Sequence, residues 1–278
     1  MYKIADIFVK FLFNHSMIEQ EFYKYETSAD EISDVDIEII QSKSNLSFFA
    51  DRGDNERLSK IIRLDPDFRR IVWQNNEYIE YSQLKMDHDN ARAVISLFVD
   101  NERKISSIPV SEIRYAIMYP LFAFMFFKGV FPLHSCGMTL NGIGILISGV
   151  SGSVKSSIGE ILVNQYGASY LGEDINACSG DGFFYGIPFS KVNQNARSRI
   201  DVVIFLGDRT FKLERKDIVD CLMKSEFAVP EITQCYKTVN KLALDLENNS
   251  YCYMISHGNY TIEESALFVN NLVEQING

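Results

Sequence analysis

Ile143-Gly-Ile-Leu-Ile-Ser148 leads directly into Gly149-Val-Ser-Gly-Ser-Val-Lys-Ser156, and this stretch decides the fold. An uncharged apolar run of this kind is typical of a buried strand. The Gly- and Ser-rich turn that follows it precedes a predicted helix, Ile158 to Gln165. In such an arrangement consecutive backbone N–H groups converge on an anion, and the dipole of the helix adds to their attraction. The sequence therefore predicts a phosphate-binding loop between a strand and a helix.

The residues of this loop have distinct expected roles. Lys155 would bring a positive charge to the β- and γ-phosphates of a nucleotide, and the hydroxyl of Ser156 would hold Mg²⁺. The residues expected to bind the cofactor are Gly149, Ser151, Gly152, Ser153, Val154, Lys155, Ser156 and Ser157. The alternative is an ordinary Ser- and Gly-rich turn that caps a helix.

One residue of the loop departs from the pattern G-x-x-x-x-G-K-[ST], because Val154 stands in place of the second glycine. That glycine lets the backbone approach the phosphate closely. A β-branched residue adds bulk and does not easily adopt positive φ. Val154 therefore indicates weakened nucleotide binding, a loop of different shape or an inactivating change.

The elements around the loop predict an α/β sheet domain over residues 108–278. Asn141-Gly142 is a strong signal for a two-residue hairpin turn joining strands Leu133 to Leu140 and Ile143 to Ser148. The other predicted elements are a strand Arg199 to Leu206, a helix Glu231 to Leu246, a strand Tyr251 to Ile255 and a helix Thr261 to Ile276.

Residues 1–107 predict a smaller mixed α+β module. Three runs are expected to form strands: Ile4 to Phe11, Asp36 to Ile40 and Tyr78 to Tyr81. Ile108 to Phe131 is the most apolar stretch of the chain, but Pro120 interrupts it and Lys128 ends it before the ~20 clean residues of a membrane span. We expect a buried helix there and no membrane association.

Composition and charge exclude several classes of protein. Apolar residues make up 46% and charged residues 23% of the 278 residues, which is a globular composition. Thirty-seven acidic against 27 basic residues give a net charge of −10, which argues against a general nucleic-acid or anionic-membrane binder. The 5 cysteines contain no C-x-x-C pair and predict neither a zinc site nor a disulfide framework. An odd number of separated cysteines fits reduced thiols in the cytoplasm.

Three further motifs support a resemblance to a known family. His134-Ser-Cys-Gly-Met precedes the loop, Gly172-Glu173-Asp174 follows the helix, and Gly186-Ile-Pro188-Phe189 comes later. Over residues 130–206 the chain resembles the HPr kinase/phosphorylase-like proteins, which include serine kinases acting on small proteins and peptide precursors. It departs from them at Val154 and at Glu173, where an aspartate is usual.

The resemblance implies a P-loop-containing sheet domain like that of HPr kinase and PEP carboxykinase, with ATP and Mg²⁺ as cofactors. It implies an ATP-dependent serine kinase whose substrate is a small protein or peptide. Residues 1–107 would then recognise the partner or govern assembly, and a homo-oligomer is one possibility. Two alternatives stay open: a catalytically impaired relative that binds nucleotide or peptide as a scaffold, and a small-molecule kinase or hydrolase.

The resemblance also implies roles for individual residues near the loop. Phosphoryl transfer requires charge neutralisation and one base for the attacking hydroxyl. We expect Asp174 to be that base, Glu173 to be directed to Mg²⁺, and His134 to act near the transferred phosphoryl group. A solvated turn is the alternative for the acidic pair, and a hydrogen-bonded structural histidine is the alternative for His134. Asp208 is a second choice for the acid on a different ground, because it follows the apolar run Val202 to Leu206 as a Walker B acid does; a turn after a strand is the alternative.

Arg197 and Arg199 form a separate basic pair at the end of a polar stretch. Guanidinium groups bind phosphate and carboxylate well, so this pair is a candidate clamp for phosphate or for an acidic peptide tail. A solvated loop is the alternative that surface charges favour.

Overall fold

The computed structural model describes residues 1–28, 31–42, 61–64, 69–74, 78–149, 152, 154–192, 194–225, 227–229, 232–256 and 258–278, with the backbone alone at 42, 61–64 and 74. The chain divides into two compact units, Met1–Phe124 and Met125–Gly278. This division falls inside the helix Val110–Phe127, whereas the sequence indicates a domain boundary between residues 107 and 108, just before that helix. The predicted domain boundary stays a prediction.

The first unit is built on one mixed sheet. Its elements are β1 Tyr2–Ile4, β2 Ile7–Phe11, α1 Ser16–Phe22, β3 Val35–Ser42, β4 Ile61–Leu64, β5 Arg70–Gln74, β6 Ile79–Asp87, β7 Arg92–Asp100 and most of α2 Val110–Phe127. The strand order is β1-β2-β3-β7-β6-β5-β4, and β3 and β7 are parallel. The single strand predicted over Ile4 to Phe11 is wrong. Ala5 and Asp6 have φ values of 48° and 65° and turn the chain back, so β1 and β2 form a hairpin.

Helix α2 contains the most apolar stretch of the chain. It is long and apolar enough to cross a membrane by length and composition, and 61% of it is buried inside the protein. The core helices of soluble proteins have this degree of burial, in agreement with the predicted buried helix. The cytoplasmic location stays a prediction.

The second unit is an α/β domain with a mixed sheet. Its elements are β8 Val130–Leu140, β9 Ile143–Ser148, α3 Lys155–Tyr166, β10 Ser169–Gly172, β11 Ile175–Ser179, β12 Phe183–Gly186, β13 Arg197–Arg199, β14 Val202–Gly207, β15 Phe211–Lys212, α4 Arg215–Met223, α5 Thr233–Asn249, β16 Tyr251–Ser256 and α6 Ile262–Asn277. The strand order is β13-β12-β11-β8-β9-β14-β16-β15, with β10 paired to β8. Strands β9, β14 and β16 are parallel, whereas β8 is antiparallel to β9.

Most of the elements predicted for this unit are present. Asn141 and Gly142 have φ values of 52° and 83°, which a type I′ hairpin turn requires. The predicted strand Arg199 to Leu206 is divided into β13 and β14. Helix α5 corresponds to the prediction Glu231 to Leu246, whose first residue lies outside the described residues. Strand β16 and helix α6 agree with the predictions.

The core of this unit fixes the place where α3 begins. Apolar side chains from β8, β9, β14 and β16 pack with those of α3 and α6 in one buried cluster. Helix α6 starts with a capping box, in which Thr261 Oγ1 accepts a hydrogen bond from Glu264 N–H at 3.1 Å and Thr261 N–H donates to Glu264 Oε2 at 2.8 Å. Because α3 packs against α6 and against β8 and β9, its N-terminus is held just beyond the end of β9.

Candidate functional site

The carboxyl ends of the parallel strands define one edge of the second sheet. Ser148 at the end of β9 pairs with Phe205 near the end of β14, and Gly207 pairs with Ser256 of β16. Strand β8 runs the opposite way, so Ser135 near its middle pairs with Ser148. Open α/β sheets bind ligands at this edge. The predicted loop, His134 and the start of α3 therefore share the edge at which a ligand is expected.

The loop between β9 and α3 is described at Gly149, Gly152 and Val154, whereas the predicted site residues Ser151 and Ser153 lie outside the described residues. Gly152 is exposed and has φ 79°, a conformation that favours glycine. Val154 has φ −74° and ψ 20°, so this position does not need the positive φ that a valine resists. The half-buried Val154 side chain packs against the core cluster. At this position the valine is part of the protein core.

Lys155 is the first residue of α3, and its side chain turns back over the loop. The residue is only 4% exposed, and its ammonium Nζ donates a hydrogen bond to the carbonyl oxygen of Gly149 at 3.2 Å. A buried ammonium requires partners, and the carbonyl oxygen of Gly149 is one of them. Ser156 and Ser157 follow in the first helical turn and are half-buried.

Glu173 and Asp174 form the turn between β10 and β11, beside His134. Asp174 has φ 80°, in the left-handed region. Its carbonyl oxygen accepts a hydrogen bond from Ser135 N–H at 3.1 Å, and Ile175 pairs with His134 across the strands. The sheet thus brings the acidic pair to the edge that carries the loop.

A buried asparagine that sequence analysis missed secures this turn. Asn176 is fully buried, and its Nδ2 donates to Ser135 O and Ser135 Oγ at 3.0 Å and to Gly172 O at 3.1 Å. One side chain thereby ties β8 to the residue that precedes the acidic pair. A polar residue inside an apolar strand was the available signal, since Asn176 interrupts the run Ile175 to Cys178.

The buried thiol of Cys136 is affected by the loop lysine and by the acidic pair. Burial raises its pKa to about 12, Glu173 and Asp174 add to the rise, and Lys155 opposes it. The strand pairing agrees with this, because Ser135, next to Cys136 in β8, pairs with Ser148 and donates its N–H to the carbonyl oxygen of Asp174.

A lysine that sequence analysis also missed contacts both carboxylates. Lys191 Nζ is 3.4 Å from Asp174 Oδ2 and 3.9 Å from Glu173 Oε1. The segment that carries it crosses close to β10 at Gly186, where a Cβ atom would lie 2.3 Å from the carbonyl oxygen of Leu171. The Gly186-Ile-Pro188-Phe189 motif thus leads the chain back to the acidic pair.

The remaining predicted site residues lie in different places. His134 is half-buried, and its ring centroid is 6.2 Å from that of Phe227. Asp208 is exposed and follows the end of β14, the strand beside β9. The roles of both residues stay predictions.

The guanidinium groups of Arg197 and Arg199 lie over an aromatic ring of β12. Strand register places Arg199 opposite Phe183, at the end of β12 that is remote from Gly186. Both guanidinium groups lie over the Phe183 ring, at 5.1 Å for Arg197 and 5.9 Å for Arg199. Arg199 is also 3.6 Å from a carboxylate oxygen of Asp245. The geometry favours a structural role for this pair over a phosphate clamp.

The edge carries oxygen donors of the chemical type that Mg²⁺ takes. Within the described part of the chain, no group of three or more His, Cys, Asp or Glu residues is placed to hold a metal. Mg²⁺ keeps most of its waters and needs only one or two carboxylates besides phosphate oxygens. Glu173 and the Ser156 hydroxyl supply hard oxygen donors of this kind.

Comparison with known proteins gives little beyond this geometry. No protein-family model and no curated protein matches the chain. Among solved structures, the chain is similar to the Hpr(Ser) kinase/phosphatase from Coxiella burnetii, with a TM-score of 0.29 and 13% identity over 53% of this chain and 93% of that chain. Because a likeness this distant carries no functional argument, the site itself defines the class: an α/β sheet domain with a strand–loop–helix unit and an acidic turn at one edge.

Proposed function

We propose that the chain is an ATP-dependent kinase that phosphorylates a serine on a small protein or peptide by HPr-kinase-like phosphoryl transfer. One observation carries the proposal: Ser135 pairs with Ser148, the residue before the loop that Lys155 contacts at Gly149, and the Ser135 N–H donates to the carbonyl oxygen of Asp174 in the acidic turn. A cation for the phosphates and a carboxylate for the acceptor hydroxyl are the two groups that phosphoryl transfer needs from a protein. The family resemblance over residues 130–206 supports the same assignment.

In this proposal each group at the edge has one task. Backbone N–H groups of the loop and the Lys155 ammonium bind the β- and γ-phosphates. Ser156 and Glu173 would hold Mg²⁺, which neutralises phosphate charge when bound. Asp174 accepts the proton of the serine hydroxyl while the serine oxygen bonds to the γ-phosphorus and the bond to the β,γ-bridging oxygen breaks, which releases ADP. His134 would contact the transferred phosphoryl group.

Radiolabel transfer tests the proposal. The protein is incubated with γ-labelled ATP, Mg²⁺ and a library of serine-containing peptides, and labelled peptides are identified by mass. We expect Asp174→Asn to lower the transfer rate by 10²-fold or more, the order of magnitude typical of a lost general base. The control Asp220→Asn removes an exposed carboxylate on α4 and leaves the proposed base in place. Transfer that is unchanged in Asp174→Asn would contradict the assignment.

A catalytically silent scaffold is the second candidate, and the Lys191 ion pairs favour it. An ammonium at 3.4 Å from Asp174 Oδ2 neutralises charge that a base or a metal site would use. A scaffold would bind nucleotide or peptide without adding mass to any peptide in the library. In either case we propose that residues 1–107 recognise the partner or govern assembly.

A further inference from the structure

Lys191 contacts the acidic pair through a side chain that is more exposed than those of its partners. Its ammonium faces both carboxylates, and the exposed fractions of the side chains are 65% for Lys191, 15% for Glu173 and 34% for Asp174. A lysine side chain is a flexible four-carbon stem that carries a strongly hydrated charge. The ammonium can therefore leave for water, whereas the carboxylates stay at the edge of the sheet.

Backbone hydrogen bonds hold the main chain of Lys191 beside the acidic pair. Lys191 N–H donates to Glu173 O at 3.2 Å, and Glu173 N–H donates to Val192 O at 2.9 Å. The buried hydroxyl of Ser190 donates to the same carbonyl oxygen of Glu173. When the ammonium leaves the carboxylates, these bonds keep it close enough to return.

One residue that leads to this contact has an unfavourable backbone conformation. Phe189 has φ 80° and an almost completely buried side chain, whereas Asp174 has the same φ, which aspartate tolerates. The left-handed region is unfavourable for bulky L-residues, and such strain is found mainly at functional sites. Phe189 directly precedes Ser190 and Lys191, so its conformation directs this segment onto the acidic turn.

We propose that Lys191 is an internal counter-ion, which occupies the cation position of the acidic pair in the nucleotide-free protein and leaves it when a divalent cation binds. The inference rests on the proposed function, because it takes Glu173 and Asp174 as the carboxylates beside which the metal ion binds. Adjacent carboxylates repel each other, and one positive charge beside them relieves the repulsion. A metal ion at the same place must displace the ammonium, so Lys191 lowers metal affinity.

Manganese binding in the absence of nucleotide tests the counter-ion. The free Mn²⁺ concentration is followed by electron paramagnetic resonance for the wild type, for Lys191→Met and Lys191→Arg, and for the control Lys216→Met, which removes an exposed charge on α4. We expect Lys191→Met to bind Mn²⁺ about fivefold to tenfold more tightly than the wild type, the range for the loss of one partly screened competing charge. The Lys191→Arg and Lys216→Met proteins should stay within about twofold of the wild type.

Two results would overturn the counter-ion proposal. One is that the Mn²⁺ affinities of Lys191→Met and Lys216→Met agree within twofold. The other is that the gain in Mn²⁺ affinity of Lys191→Met persists when Asp174→Asn is added. Mg-ATP binding is measured on the same proteins by calorimetry, so that the two proposals are judged separately. A gain in Mn²⁺ affinity without nucleotide binding supports the counter-ion proposal and contradicts the proposed kinase function. Nucleotide binding without the gain contradicts the counter-ion alone.

Discussion

Replacing Val154 by glycine restores the residue that the phosphate-loop pattern expects, and we predict that it costs stability without improving nucleotide binding. The half-buried valine packs against the core cluster. Burying a whole valine side chain contributes about 1.5–3 kcal/mol, so the half-buried group contributes about 1 kcal/mol. The flexibility of glycine in the unfolded chain adds up to about 1 kcal/mol. The expected loss in the free energy of unfolding is therefore about 1–2 kcal/mol.

Thermal unfolding and calorimetry measure both parts of this prediction. For a domain of this size about 1 kcal/mol lowers the melting temperature by about 2–4 °C. We expect a drop of about 2–8 °C in Val154→Gly and a smaller one in Val154→Ala, which keeps the β-carbon and lacks the added flexibility. Affinity for Mg-ATP should stay within about threefold of the wild type, a change of less than 1 kcal/mol. A gain of tenfold or more at an unchanged melting temperature would show that the valine fills the phosphate site.

Two further predictions concern the groups that support the site. Asn176→Asp would set a carboxylate against the acceptors Ser135 O and Gly172 O, and we expect it to lower the free energy of unfolding by about 3 kcal/mol or more. Urea titration measures this loss, and an effect equal to that of the exposed control Asn259→Asp would refute it. At alkaline pH the buried thiol of Cys136, whose pKa is raised to about 12, stays protonated in the folded state, while the unfolded thiol ionises around its ordinary pKa of 9.0. Because the folded state then binds more protons, stability should fall as the pH rises from 9 to 12. The fall should be shallower in Cys136→Ala, and identical slopes in urea titrations of the two proteins would contradict this cause.

The local features of the second unit, Met125–Gly278, could be predicted from the sequence. Asn141-Gly142 is the residue pair that a two-residue hairpin turn favours. The apolar run before Gly149 predicts a buried element. The first hairpin of the first unit could not be predicted in this way. Ala5 has a left-handed conformation there, which alanine rarely adopts. Propensity therefore predicted one strand where a hairpin is present.

The non-local features could not be predicted from the sequence. Lys191 meets Glu173 and Asp174 only because the chain crosses at Gly186 and turns at Phe189, a residue that gives no signal for positive φ. The role of Val154 was equally hidden, since the sequence shows a missing glycine but not the direction of the side chain. Contacts of this kind depend on how distant segments pack, which local patterns do not record.

Calorimetric titration of the wild-type protein with Mg-ATP addresses the claim that the turn between β9 and α3 holds phosphate. We predict one nucleotide per chain, at least tenfold weaker binding in Lys155→Met, which corresponds to about 1.4 kcal/mol, and unchanged binding in the exposed control Lys216→Met. Absence of heat with the wild type, or equal affinity in Lys155→Met, would contradict the account.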